Sequence, residues 1–401
     1  MVMSGLLAPI ALAVAVGNVQ PTAAATAASS PVARPGITAS VFLIGGKISC
    51  GSPTSCLAVG ENLDASTELA PIAEAWNGTT WRRVAVPLPK PTVALVSLAD
   101  LSCKSAGACL VVGTYTTLAG AGGQRPYALT WNGTRLSPTA TPPAPKGSRF
   151  ASLTGVSCLT ARSCVAVGDS QGGSGPVTVE IWNGATWTLR TARIPGAGPE
   201  NPGTVSCLSV TSCVIAGESY SSGTGPPAML LARWNGKSLT AMKAAAPAGA
   251  GDIILNDVSC ASASRCVAAG FSTNTAGTRE FGFAELWNGT SWTARTVAMP
   301  KGDTDSFLYG VSCPAGGRCI AVGSAGTATA AQAIALSANG KTLTAQNVPG
   351  PGKGKSSSFV AVSCPKADEC VAIGDIGAAG KSTATLLSGR WNGSSWRLAA
   401  A

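Results

Sequence analysis

Seven times along the chain two cysteines stand with five residues between them: Cys50/Cys56, Cys103/Cys109, Cys158/Cys164, Cys207/Cys213, Cys260/Cys266, Cys313/Cys319 and Cys364/Cys370. No cysteine is left over. The first members of successive pairs lie 49 to 55 residues apart, a period that belongs to stacked or circular arrays. A chain built this way must close the same small unit seven times and then bury the units against one another.

Each pair is read as a hairpin. Two cysteines flanking a five-residue turn face each other on adjacent antiparallel strands, where Cα atoms lie ~4.5–5.5 Å apart, a spacing that a disulfide tolerates. One local disulfide per unit is therefore expected, each worth about 2 kcal/mol on the loop-entropy account. Zinc is the rival, but C-x₅-C is an unusual ligand spacing and the 401 residues include no histidine to complete a site. Redox chemistry would favour C-x-x-C instead.

After each pair comes a small apolar run ending in glycine, as in Cys319-Ile320-Ala321-Val322-Gly323. Further on stands an aromatic-Asn-Gly step at Trp76, Trp131, Trp182, Trp234, Trp287 and Trp391; in the sixth unit Ala338 takes the aromatic position while Asn339-Gly340 remains. Five residues later comes Trp81, Leu136, Trp187, Leu239, Trp292, Leu343 or Trp396, so the pattern uses all ten tryptophans of the chain. Asn-Gly is expected to turn the chain as a type I′ hairpin. The unit thus reads as four short strands, the first ending at the first cysteine and the second starting at its partner. Runs such as Val165-Ala166-Val167 are apolar on both faces, which suits a sheet covered on both sides. Four strands, seven units and two covered faces predict an all-β, seven-bladed β-propeller with one disulfide per blade. Each large aromatic would contribute at most roughly 4–6 kcal/mol of burial.

The N-terminus reads differently. An apolar run from Leu6 to Val16, followed by Ala23-Ala24-Ala25, has the form of a signal peptide and is short for a membrane span. The domain expectation is a signal peptide over 1–25, a flexible linker over 26–36 and the propeller over 37–401. Seven regular cysteine pairs independently favour an oxidising compartment, so the protein is expected outside the cell or on its surface.

The formal charge of +10 is spread over scattered residues and reads as a solvated basic surface, not a nucleic-acid site. The missing histidines remove the commonest general base and metal ligand. Gly354-Lys355-Ser356 resembles the end of a phosphate loop, but Pro349 stands where its first glycine belongs and no helix follows. Asp303-Thr304-Asp305 lacks the other ligands of a calcium loop. The sequons at Asn77, Asn132, Asn288 and Asn392 coincide with turns that need Asn-Gly anyway.

One acidic pattern stands out. Directly after the glycine that ends the second strand come Glu61, Asp169, Glu218 and Asp375, although charged residues are only 11% of the chain. In a propeller these positions open the second-to-third-strand loops and share one face with the linkers between units. Loops on a rigid scaffold commonly carry ligand contacts, so these four are candidate ligand-binding residues. The competing reading is that they accept hydrogen bonds from nearby backbone.

The S-C-x₅-C-x-A-V-G stretch followed by W-N-G-x-x-W resembles repeats in secreted proteins of high-GC actinobacteria, over roughly residues 37–401, and this resemblance implies a propeller. The W-N-G-x-x-W step is also similar to the Asp-box of sialidase-type propellers in position and closing Trp, without the Ser and Asp of that motif; this second resemblance implies fold only. The functional expectation is a secreted, non-catalytic binding module for a glycan, cell-wall polymer or protein. The alternative is an extracellular carbohydrate-active hydrolase or lyase using paired rim carboxylates. The expectation includes no catalytic residue, cofactor or metal, no nucleic-acid partner and no stable membrane span, and it takes the protein as a monomer.

Overall fold

The computed structural model describes residues 44–400 apart from 64–68, 90–92, 118–122, 141, 173–174, 195–197, 199, 220–227, 300–301, 328 and 380–383. The expected signal peptide and linker lie outside the described residues. The described chain forms seven four-stranded antiparallel sheets, each made of four consecutive strands in sequence order. The blades cover 44–84, 93–138, 155–192, 200–241, 250–296, 305–346 and 355–400. Blade 5 shows the plan: Ala250–Ser262, Arg265–Asn274, Glu280–Trp287 and Trp292–Thr296. No helix occurs among the described residues.

The first strand of each blade packs against the first strands of its two neighbours, including blade 7 against blade 1. These seven strands therefore form the inner ring. The second strands carry the apolar runs and are buried on both faces, as in Val165, Ala166 and Val167 at 0% exposure. Ring closure uses no shared strand. Ile48, Ala58, Ile72 and Trp76 of blade 1 pack directly on Ala361, Val371, Ile373 and Leu386 of blade 7.

The Ser-Cys dipeptide has a specific structural role. In every blade the amide of the first cysteine donates to the hydroxyl of the serine that precedes the equivalent cysteine in the previous blade. Cys103 N–H reaches Ser49 Oγ at 2.9 Å, and the series runs round to Cys50 N–H on Ser363 Oγ at 2.9 Å. Seven such bonds clasp the ring shut. Each satisfies a backbone donor that an inner strand would otherwise leave facing another blade.

All seven expected disulfides form: Cys50–Cys56, Cys103–Cys109, Cys158–Cys164, Cys207–Cys213, Cys260–Cys266, Cys313–Cys319 and Cys364–Cys370. No cysteine is free. The Cα–Cα distances are 3.9–4.1 Å, shorter than the ~4.5–5.5 Å expected of facing residues. In blades 1, 2, 4 and 5 a register shift directly follows the bridged pair, and in blade 3 it lies between Ser163 and Cys164, so the pair sits where the ladder bends.

The second cysteine of every pair is buried. Cys56, Cys109, Cys164, Cys213, Cys266, Cys319 and Cys370 are 0–7% exposed, which makes these positions staples inside the sheet and not sites open to a ligand.

The strands do not stop at the cysteines as expected. In six blades the first strand runs on by two residues past the first cysteine, and the second begins one residue before Cys56, Cys109, Cys164, Cys213, Cys266 or Cys370. The hairpin loop is correspondingly tighter than five residues, because the ladder continues beyond the bridge. Blade 6 departs from this: its first strand stops at Ser312 and its second starts at Cys319. Pro314, Gly316 and Gly317 lie between them; the proline alone does not end the strand, because blade 7 carries Pro365 at the same position within Lys355–Lys366.

The Asn-Gly turn also differs from expectation. Trp76 pairs with Trp81 and Trp287 with Trp292, leaving four-residue loops. Only the glycine has positive φ, 90–100° in all seven turns, so these are not type I′ turns. The asparagine instead acts through its side chain. Its Oδ1 accepts the N–H groups two and three residues on at 2.8–3.1 Å, an Asx turn in every blade.

Candidate functional site

Antiparallel order places the cysteine hairpins and Asn-Gly turns at one end of the disc, the hairpin face. The second-to-third-strand loops and the linkers between blades lie at the other, the loop face. The inner ring is reached from the loop face through a run of bulges. Register shifts occur at Leu98/Asp100, Pro202/Thr204, Leu255/Asp257, Leu308/Gly310 and Phe359/Ala361. Contrary to expectation, only in blade 3 does the second strand end at the glycine, Gly168; in the others it runs on past Gly60, Gly113, Gly217, Gly270, Gly323 and Gly374, because ladder pairing continues on both sides. That glycine nevertheless makes the bulges possible. A Cβ at Gly168, Gly270, Gly323 or Gly374 would overlap the carbonyl oxygen of Ser152, Ile254, Phe307 or Ser358, which lie on or just before the first strand. Bulges re-aim side chains, and here they turn residues toward the centre of the ring.

The four rim acids occupy one equivalent position in the loop-face half of blades 1, 3, 4 and 7, but they do not open the loops as expected: Glu61, Glu218 and Asp375 lie within their second strands, and only Asp169 follows the end of its strand. Asp169 accepts the Ser152 hydroxyl, and Asp375 Oδ2 accepts the Ser358 hydroxyl at 3.4 Å. Ser358 faces Asp375 on the first strand of blade 7, whereas Ser152 lies just before the first strand of blade 3, which begins at Gly155. Glu61 faces Ile44, and Glu218 faces Asn201. The four are thus distributed round the face by the blade repeat and do not converge as a cluster. Asp375 differs from Asp169: burial pushes its pKa up to about 7, against the Ser358 hydrogen bond, and its Oδ1 is buried without a partner.

Asp375 belongs to a local group that the sequence reading did not assemble. Phe271 and Phe307 meet edge-on at 5.1 Å between blades 5 and 6, and Phe307 stacks on Tyr309 at 5.7 Å with an interplanar angle of 6°. Phe307 and Tyr309 are half-buried and alternate along their strand with buried Ser306 and Leu308. Burial first, then the neighbouring carboxyls of Glu280 and Asp375, hold the Tyr309 hydroxyl well above its ordinary pKa, against a hydrogen bond with Ser324. Burial and the charge on Asp305 likewise raise Glu280. Phe271 and Ser324 occupy in blades 5 and 6 the position that carries the rim acids elsewhere. That equivalence is legible in the sequence, but an aromatic and a serine carry no acidic signal there.

Deeper in the ring lies a second polar group, at the third residue before the first cysteine: Lys47, Asp100, Gly155, Thr204, Asp257, Gly310 and Ala361. Asp100 accepts the amides of Leu101 and, from the next blade, Val156, each at 2.8 Å. Asp257 accepts Val258 and Val311 amides at 2.9 Å and the Thr204 hydroxyl at 3.1 Å, joining blades 4, 5 and 6. Lys47 of blade 1 reaches the Asn256 carbonyl of blade 5 at 3.5 Å. Burial raises both acids, Asp100 to about 7, and the Lys47 charge opposes it in each. The carboxylates are held by backbone donors, so their evident work is to fasten blades together across the centre.

Three acids lie buried between blades at the second residue before the first tryptophan: Glu74, Glu180 and Glu285. Burial raises all three, Glu180 to about 8 and Glu285 to about 7. Glu74 meets Arg83 at 3.6 Å and Glu285 accepts the Ala245 amide at 3.1 Å. Sequence reading missed them because one acid in an apolar strand looks like a solvent-facing position.

Among the described residues no group of three or more His, Cys, Asp or Glu is placed to hold a metal ion, and no helix is long and apolar enough to cross a membrane. The sequence expectations Asp303–Asp305 and Gly354–Ser356 resolve locally. Asp305 accepts the Glu280 amide at 3.0 Å and the Thr304 hydroxyl at 2.6 Å, and Lys355 opens the first strand of blade 7.

The architecture is that of the seven-bladed β-propellers. The sequence matches no protein-family model and no curated protein. Solved structures share the fold at low identity. An ulvan lyase of polysaccharide lyase family PL25, bound to -[GlcA(1-4)Rha3S]-, superposes with a TM-score of 0.57 at 8% identity, over 90% of this chain and 96% of its own. YCF48 bound to a D1 peptide gives 0.49 at 12% identity, over 88% and 93%. The β-propeller domain of the Trilobed protease from Pyrococcus furiosus, described as having an open velcro topology, gives 0.47 at 6%, over 90% and 97%.

Proposed function

We propose that the chain is a secreted, non-catalytic module that binds a glycan on its loop face, around blades 5 to 7. The observation that carries this reading is the aromatic tier Phe271–Phe307–Tyr309 with Asp375 and Glu280 beside it. Sugar rings offer C–H faces that stack on aromatics and hydroxyls that donate to carboxylates. Asp375 Oδ1, buried and unpartnered, is an acceptor waiting for such a donor. Export is supported by the apolar run near the N-terminus, the resemblance to repeats of exported proteins and the seven disulfides. Of the four acids read from sequence, Asp375 is the principal contact. Asp169 is occupied by Ser152, and Glu61 and Glu218 would contribute at the periphery.

A second reading, a carbohydrate-active lyase or hydrolase, is favoured by one feature: a carboxyl with a pKa raised to about 7 beside a tyrosine is suited to general acid–base work. The ulvan lyase makes acidic polysaccharides the first class to try. Purified, oxidised protein would be applied to a glycan array and to intact cell-wall preparations, with retention and soluble product scored together. Retention without product, lost in Asp375→Asn and Tyr309→Ala, is the expected result. Product release that disappears in Asp375→Asn would establish the enzyme. Retention unchanged in both variants would overturn the loop-face assignment.

A further inference from the structure

Blade 6 breaks the repeat on the hairpin face. In blades 2, 4 and 5 the first tryptophan of the blade sends its indole N–H to the carbonyl of the third residue after the first cysteine: Trp131 to Ala106 at 3.1 Å, Trp234 to Val210 at 3.1 Å and Trp287 to Ala263 at 2.9 Å. The matching residues in blade 6 are Ala338 and Gly316, so that blade has no indole to reach the carbonyl. A cavity of about 460 Å³ opens on this stretch, bordered by Gly316 and Gly317 and by groups from blades 5 and 7. That volume is in the range of small-ligand sites.

The groups that line it are mostly donors. Arg265 arrives from blade 5 and Arg318 from blade 6; both occupy the position just before the second cysteine, which is arginine in these two blades alone. Arg265 Nε is buried with no hydrogen-bond partner. Gln346 Oε1 accepts the Trp396 indole N–H at 2.9 Å, which leaves its NH₂ to face elsewhere. Asn339 Oδ1 is taken by the turn amides of Lys341 and Thr342, so its NH₂ is likewise the group it can present. Asp368 is the one acid of the lining, and Trp391 supplies a half-exposed indole.

We propose that this cavity binds a uronic acid residue of an acidic polysaccharide. The carboxylate would sit between the Arg265 and Arg318 guanidiniums, which suit bidentate recognition of a planar anion. The pyranose ring would lie against Trp391, with hydroxyls directed to the Gln346 and Asn339 amides and to Asp368. A simple anion would need only the arginines. The indole and the mixed amide and acid rim make a ring bearing both carboxylate and hydroxyls the better complement. This site is on the face opposite the aromatic tier and does not depend on it.

The test is calorimetric titration of the full oxidised protein with a glucuronate-containing tetrasaccharide and with the same tetrasaccharide after carboxyl reduction. The expected result is saturable binding of the first, at least tenfold weaker binding of the second, and at least tenfold loss in Arg318→Ala. Arg318 is exposed, so that variant retains the fold; Arg265→Gln provides a second loss, with near-UV circular dichroism confirming its packing. Equal binding of the reduced sugar, or unchanged affinity in Arg318→Ala, overturns the proposal. So does saturable binding of a free peptide C-terminal carboxylate that displaces the sugar or occurs in its place. Loss of loop-face retention in Asp375→Asn leaves these outcomes untouched, so the two readings fail separately.

Discussion

Blades 5 and 6 are neighbours cut to one plan, and they use it differently. Blade 5 holds Trp287 and Trp292 with ring centroids 5.3 Å apart, fixes the first by its bond to Ala263 and lays Arg233 over it at 5.9 Å. Blade 6 has Ala338 and Leu343 at the same two positions and a hairpin of Pro314-Ala315-Gly316-Gly317. Both keep the disulfide, the Asx turn and the serine clasp. The lesson is that ring geometry rests on the inner clasp and the second strand, while the tryptophans are local supports: blades 2 and 4 keep only the first of the pair, and blade 6 keeps neither. In blade 6, where both are lost, a cavity lies beside the hairpin.

The sharpest way to break this contrast is to remove the aromatic support from each blade. Trp287, 8% exposed, is expected to cost about 3–5 kcal/mol as Trp287→Ala, measured by urea unfolding. Leu343→Ala should cost about 1 kcal/mol, because the half-exposed side chain gives up only part of its burial. Similar losses in the two blades would show that blade 6 is packed as tightly as blade 5.

Next come the disulfides. Replacing Cys260 and Cys266 by serine, or Cys313 and Cys319, should each lower stability by about 2 kcal/mol, since both rings have a sequence separation of 6. A much larger loss in blade 6 would mean that its bridge substitutes for the missing indole.

A pH difference follows from Glu285 in blade 5, whose equivalent in blade 6 is Leu336. Glu285 keeps its proton in the folded state up to about 7, well above its ordinary value of 4.5, because burial disfavours the charge. Between those values the folded state holds a proton that the unfolded state has released, so stability falls as pH rises from 4.5 to about 7. Glu285→Leu should flatten that part of the profile, read as urea midpoints at several pH values. An unchanged slope would place the dependence on Glu180 or Asp375 instead.

The smallest expected effect is in the clasp. Ser259→Ala, which unpairs the Cys313 amide, and Ser312→Ala, which unpairs Cys364, should each cost about 1 kcal/mol. Equal losses would confirm that the clasp is indifferent to the aromatic pair beside it.

The cysteine and tryptophan spacing alone determined seven blades, four strands in each and a disulfide in every first hairpin, because these depend on contacts between residues close in sequence. Local chemistry also misled there. Asn-Gly suggested a two-residue turn, whereas the asparagine side chain builds a four-residue one. Second-strand starts placed at Cys56, Cys109, Cys164, Cys213, Cys266 and Cys370 fell one residue short, because ladder pairing runs on past each bridge. Other features needed the ring itself. The serine before each cysteine was visible in the motif, but its bond is to a strand about fifty residues away, or 313 at the closure. Asp375 was legible as one of four equivalent acids; its neighbour Tyr309 comes from a different blade. Ala338 was legible as a lapse in the repeat, but only the packing of blades 5, 6 and 7 brings Arg265 and Arg318 to one cavity beside Gly316 and Gly317. Periodicity fixes what each blade is, and closure of the ring decides which side chains of different blades come to share one space.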